Sequence, residues 1–134
     1  MNIPTSPAIE NSIKLIQKLI QSAKFDDAIE QAQQLKLTAN TAQQVELWYL
    51  IAVAQRYNKT HSQALNSIQV LLTLDNSHAR ACQEQGYNQL ALLKTSLAKA
   101  SFEQAVKLNP SLVASWQELI NLYRDDEQLD DVQK

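Results

Sequence analysis

Apolar residues recur along this chain at helical spacing and not in the two-residue alternation of a strand. Trp48, Ile51, Ala52 and Gln55 fall on one helical face, and so do Ala64, Ile68 and Leu71. The pattern predicts helices over about 8–22, 26–37, 42–57, 61–74, 78–93, 97–108 and 112–124, with an eighth beginning near Glu127. Residues suited to helix starts stand at these boundaries: Ser6 before Pro7, Thr41 with Gln44, Thr60 with Gln63, then Ser77 and Ser111. No single helix could bury its stripe alone, so the stripes predict helices stacked in antiparallel pairs.

The stripes also repeat. Trp48, Cys82 and Trp116 are spaced 34 residues apart, as are Ala52, Gly86 and Ile120, and the same shift carries Ala64 onto Ala98, Ile68 onto Phe102 and Leu74 onto Leu108. It further maps Asp75-Asn76-Ser77 onto Asn109-Pro110-Ser111, placing turn residues in phase with core residues. Small side chains (Ala52, Ala64, Gly86, Ala98) mark where paired helices approach closely. Large ones (Trp48, Phe102, Trp116) are expected to fill the space between neighbouring pairs. The repeats run over about 9–44, 45–78 and 79–112, with a partial fourth over 113–134, and residues 1–134 are expected to form a single domain.

Composition agrees with an all-α chain. One Gly and three Pro leave little turn-forming material for a sheet, and 45% of residues are hydrophobic against 19% charged. The net charge of -2 offers no general field for nucleic acid, so no nucleic-acid partner is expected. The longest apolar run, Leu47 to Ala54, is too short to span a bilayer, and the first residues lack a basic then apolar export signal; no membrane partner and a cytoplasmic location are expected.

Residue by residue, the run Ala98-Lys99-Ala100-Ser101-Phe102-Glu103-Gln104-Ala105-Val106-Lys107-Leu108-Asn109-Pro110 resembles the second half of the tetratricopeptide-repeat (TPR) motif. Trp116, Leu119 and Tyr123 resemble the first half of the next unit, and Lys24-Phe25-Asp26-Asp27-Ala28 the beginning of a second helix in the first. The resemblance covers nearly the whole chain and implies a TPR-type α-solenoid of antiparallel helix pairs wound into a right-handed superhelix. Two departures stand out: Gln85 and Gln89 occupy positions where the motif carries Leu and an aromatic, so irregular packing is expected there, and the first unit is offset by about two residues and has no Trp.

A family of this kind implies an interaction scaffold that binds a protein or peptide segment on its concave face, with no catalysis in this chain. The first helix of each unit would line that face, with Tyr49, Val53 and Arg56, then Arg80, Gln83 and Tyr87, then Gln117, Asn121 and Arg124 turned outward. Tyr49, Arg56, Tyr87 and Arg124 lead this set, because Tyr and Arg combine large area with directional donors. Some TPR domains hold a peptide's terminal carboxylate with Lys, Asn and Arg; here Tyr49 and Gln83 stand where charged and amide groups would be needed, which argues against a chaperone-tail receptor.

A narrower resemblance, over Asn109 to Trp116 with Leu119 and Leu122-Tyr123-Arg124, is to the TPR region ahead of the catalytic domain in bacterial TPR-sulfotransferases. It implies the alternative of a non-catalytic accessory region of a larger enzyme. The acidic start of helix near Glu127, with no polar helix to close the array, reads as a fragment of a longer protein and suggests self-association through an open helical end.

Reactive side chains are few, and they form no catalytic or metal-binding motif. Cys82 takes the repeat position of Trp48 and Trp116 and reads as a buried small hydrophobe. His61 and His78 read as solvated residues at helix starts, and Asp125, Asp126, Asp130 and Asp131 lack the spacing of a calcium loop. No cofactor is expected.

Overall fold

A computed structural model describes residues 7–133. Among these are seven α-helices: α1 (Pro7–Gln21), α2 (Phe25–Leu35), α3 (Thr41–Tyr57), α4 (His61–Leu74), α5 (Ala79–Ala91), α6 (Thr95–Leu108) and α7 (Val113–Gln133), with a 3-10 turn at Lys36–Thr38. The helices gather into two compact units, the first ending at Asn76 and the second beginning at Ser77.

In the first unit, α1, α2 and α3 close around Ile16, Ala28, Ala32, Leu47, Leu50 and Ile51, with Trp48 and Tyr49 packed against that core. The stripes of α3 and α4 are buried as their periodicity predicts: Ala52, Ala64, Ile68 and Leu71 have no exposed surface. In the second unit, α6 and α7 enclose Ala98, Phe102, Val106, Leu119 and Leu122, with Tyr87 and Leu90 of α5 against them. Here the repeat's small residue has a direct role. A Cβ placed on Gly86 would lie 2.6 Å from two atoms of the Phe102 ring, so α5 approaches α6 with that ring against its bare backbone.

Helix ends repeat as well as cores. Ala23, Lys59 and Leu93 follow α1, α3 and α5 with φ of 61°, 63° and 63°. Each sits in the same pair of closing bonds. The amides of Lys24, Thr60 and Lys94 reach back to the carbonyls of Leu19, Gln55 and Gln89, and those of Ala23, Lys59 and Leu93 to Ile20, Arg56 and Leu90. No glycine relieves the left-handed residue, so each end carries a steric cost of about 1–2 kcal/mol that the packing of the following helix offsets. Lys59 and Leu93 keep the 34-residue register, whereas Ala23 departs from it by the two residues expected of the first unit.

Polar contacts share the register. The Ser67 hydroxyl donates to Gln55 Oε1 at 2.7 Å, and 34 residues later Ser101 donates to Gln89 Oε1 at 2.6 Å while also lying 2.9 Å from Gln85 Oε1. The two glutamines that depart from the motif thus meet a serine hydroxyl on the paired helix. α5 runs unbroken through both of them, from Ala79 to Ala91.

Several expected helix starts move. The box at α3 is Asn40 with Gln43, one residue before the Thr41 and Gln44 expected from sequence: Asn40 Oδ1 accepts from the Gln43 amide at 2.8 Å, and Gln43 Oε1 accepts from the Asn40 amide at 3.0 Å. The Thr60 side chain does not cap α4, because its hydroxyl instead donates to the Gln55 carbonyl, which also accepts the Thr60 amide at the end of α3. His78, not Ser77, caps α5, its Nδ1 accepting from the Ala81 amide at 3.0 Å. Ser111 lies outside α7, its amide held by the Asn109 side chain in a turn. Ser6 lies outside the described residues.

The eighth helix is not a separate element. α7 runs without interruption from Val113 to Gln133 through Glu127, the position that corresponds by the repeat to Lys59 and Leu93. Acidic side chains tolerate a helix interior, and nothing in Asp125-Asp126-Glu127 forbids continuing. The large residues divide too. Phe102 is fully buried, while Trp116 is 44% exposed, its indole N–H donating to the Pro110 carbonyl at 2.8 Å.

Gly86→Ala is expected to lower stability by about 1–3 kcal/mol, since the ring of Phe102 cannot withdraw from a closed core, although alanine alone would favour the helix by about 1 kcal/mol. Calorimetric melting of the single variant and of the pair with Phe102→Leu should show the second change recovering much of the loss. The opposite sign is expected at Leu93, which is 87% exposed and makes little packing contribution. Leu93→Gly should raise stability by about 0.5–1 kcal/mol by removing left-handed strain, seen as a melting temperature a few degrees higher.

Candidate binding face

In the first unit, Tyr49, Val53 and Arg56 lie at i, i+4 and i+7 on α3 and so share a face. Tyr49 and Val53 line an open trough of about 670 Å³ between α1 and α3, together with Gln17, Ile20 and Gln21 of α1, Ala23, Phe25, Leu50 and Tyr57. Its far wall is stiffened by Phe25 and Tyr57, stacked with ring centroids 5.8 Å apart. Arg56 is not in the lining; its guanidinium lies 4.6 Å from the centroid of the Tyr57 ring, an attraction of a cation to a π face at the edge of the site.

Toward the helix N-termini the trough changes character. A neighbouring hollow of about 360 Å³ shares Gln17 and is lined by Glu10 and Lys14 of α1 and by Glu46 of α3. The concavity therefore has an uncharged aromatic end and an end carrying both signs of charge. On the outside of the unit, Lys36 places its ammonium 3.5 Å from the Trp48 ring centroid, and partial burial lowers its pKa from the ordinary lysine value.

Sequence reasoning missed five of the lining residues that matter most: Gln17, Ile20, Gln21, Phe25 and Tyr57. The first three belong to the unit whose register slips by two residues, so a strict 34-residue shift does not bring them onto the face. Phe25 and Tyr57 lie where adjoining helices begin and end. Their spacing from Ile20 and Val53 is the one signal available.

In the second unit, the expected residues divide between surface and packing. Arg80 is exposed near the start of α5, while Gln83 accepts the Ser115 hydroxyl from α7 at 2.7 Å. Tyr87 meets Phe102 edge to face at 5.6 Å and 70° and is packed against the core. Gln83 and Tyr87 therefore also brace their own unit. On α7, Gln117 and Arg124 are exposed and Asn121 is half-buried. Beside them, Tyr123 donates to Glu103 at 2.6 Å and Lys99 pairs with Asp126 at 2.6 Å. The first bond raises the Tyr123 pKa, and the Asp126 carboxylate raises that of Lys99.

Cys82 is 3% exposed, and burial pushes its thiol pKa up, which favours the unreactive protonated form. Among the described residues, no group of three or more His, Cys, Asp or Glu could hold a metal ion, and no helix is long and apolar enough to cross a membrane.

No protein-family model matches the sequence, and no curated protein matches it. Solved structures do resemble the fold. The first TPR of Spaghetti (RPAP3) bound to the HSP90 peptide SRMEEVD has a TM-score of 0.80 at 20% identity, over 87% of this chain and 94% of that one. The Hsp90 co-chaperone Cns1 from Saccharomyces cerevisiae gives 0.82 at 17% identity, over 94% and 41%, and MamA gives 0.77 at 19%, over 91% and 70%. At these identities the likeness concerns the backbone alone: the chain has the all-α TPR fold, a solenoid of antiparallel helix pairs.

Proposed function

We propose that this chain is a protein-interaction module that binds a peptide or protein segment on the exposed faces of the first helices of its pairs, and catalyses nothing itself. The observation that carries the reading is the α1–α3 trough, a concavity walled by aromatic, aliphatic and amide groups with Tyr49 and Val53 in its lining. Tyrosine and amide walls suit a segment that must bury apolar side chains and still satisfy its main chain. The fold likeness to a TPR domain solved with a peptide bound supports the class of partner. A cytoplasmic location would suit such a module. With a partner isolated on the immobilised chain, Tyr49→Ala combined with Arg56→Ala is expected to weaken its affinity at least tenfold in calorimetric titration, read below the melting temperature of the variant, which the lost packing of Tyr49 on the core lowers. Unchanged affinity would remove this face from the reading.

Self-association is a second reading, favoured by the surface of α7. Val113, Trp116 and Ile120 are 74%, 44% and 50% exposed and lie at helical spacing on one side of that helix. Two copies could cover this stripe. Light scattering should then show the mass rising toward twice the monomer with concentration, and Ile120→Glu should abolish the rise. A constant monomer mass for the unaltered chain would exclude it.

A further inference from the structure

The trough in the first unit has a property that narrows the partner. Its lining includes no Asp, Glu, Lys, Arg or His: the side chains of Ile20, Phe25, Leu50 and Val53 and the two tyrosine rings are carbon, and the polar side-chain groups are the amides of Gln17 and Gln21 and the tyrosine hydroxyls. Its volume of about 670 Å³ is within the ~300–1,000 Å³ typical of sites that enclose a small organic group. A carboxylate or ammonium seated against these side chains would give up part of its water and meet no opposite charge within the lining. An uncharged aromatic side chain meets neither obstacle, and the stacked pair Phe25 and Tyr57 offers it ring edges and faces. Charged groups lie outside this lining: Glu10, Lys14 and Glu46 in the hollow beyond Gln17, Lys24, Asp26 and Asp27 in a hollow that shares Ala23 and Phe25, and Arg56 against the Tyr57 ring at the edge.

We infer that the aromatic end of the α1–α3 trough is an anchor pocket for an uncharged aromatic side chain of a partner segment. The exposed amides of Gln17 and Gln21 hold that segment's main chain by donating to its carbonyls and accepting from its amides. This selectivity is opposite to that needed for an acid-terminated peptide such as SRMEEVD, which the RPAP3 domain carries. The inference rests on the proposed binding role and names the chemistry of its partner.

Two peptides test it by amide-resolved NMR titration of the whole chain: acetyl-Ser-Gly-Trp-Gly-Ser-amide, which is neutral, and SRMEEVD with its free carboxylate. The tryptophan peptide is expected to shift the amide signals of Gln17, Ile20, Tyr49 and Val53 saturably, with a dissociation constant on the order of a millimolar. SRMEEVD should bind there at least fivefold more weakly. Val53→Glu, which sets an acid in the wall, should weaken the tryptophan peptide at least fivefold. Gln17→Glu at the exposed rim provides the same comparison should the first variant unfold. Equal or tighter binding of SRMEEVD at these positions would overturn the anchor, as would an absence of saturable shifts there with the tryptophan peptide. A partner whose binding ignored Tyr49 and Arg56 would overturn the underlying reading instead, and leave the pocket's measured preference intact.

Discussion

Two helices can share a core only if their backbones come close enough for side chains of one to reach between those of the other, and in the second unit that approach hangs on a missing atom. Phe102 occupies the space that a Cβ at Gly86 would need. The buried ring fills what would otherwise be a void between α5 and α6, and a void or a clash there would cost a sizeable fraction of the margin of a small domain. Ala52 stands at the corresponding position of the preceding repeat, where it is fully buried on α3 and Ile68 is fully buried on α4. Small residue and large residue are thus complementary halves of one packing device, used with two different sizes.

The close pairing has a consequence at the helix ends. A short connection that turns the chain back must leave the helix abruptly, and at Ala23, Lys59 and Leu93 it does so through a left-handed residue although none of the three is glycine. The strain is tolerated because the following helix is held by its buried face. Thr60 joins the closure of α3, its amide and its hydroxyl both donating to the Gln55 carbonyl behind it while the side chain leaves the amides ahead uncapped. The serine and glutamine pairs follow the same logic: in each, the serine hydroxyl donates to an amide oxygen on the facing helix, the pair being buried at Ser67–Gln55 and partly buried at Ser101–Gln89.

The trough between α1 and α3 is a by-product of stacking first helices side by side, but its lining is particular. The aromatic end draws residues from α1, the turn after it, the start of α2 and the end of α3. The residues shared between surface and core in the second unit, Gln83 and Tyr87, show the complementary case, in which a position free by periodicity is taken up by a neighbour's Ser115 or Phe102.

What the sequence determined by itself was the repeat: the 34-residue spacing, the all-α pairing, the buried place of Cys82 and the boundaries of α3, α4 and α6 to within a few residues. These follow from periodicity and side-chain size, which act locally and leave a record in the order of residues. Only the tertiary structure decided which of several adjacent polar residues caps a helix, since Asn40 and Thr41, or Ser77 and His78, are chemically able to do so and differ only in where the backbone turns. It also decided that α7 continues through Glu127, that Gln85 and Gln89 find Ser101, and that Phe25 and Tyr57 stack into the wall of the α1–α3 trough. Each of these depends on distances between residues far apart in the chain, and such distances are set by how helices pack, not by the pattern along any one of them.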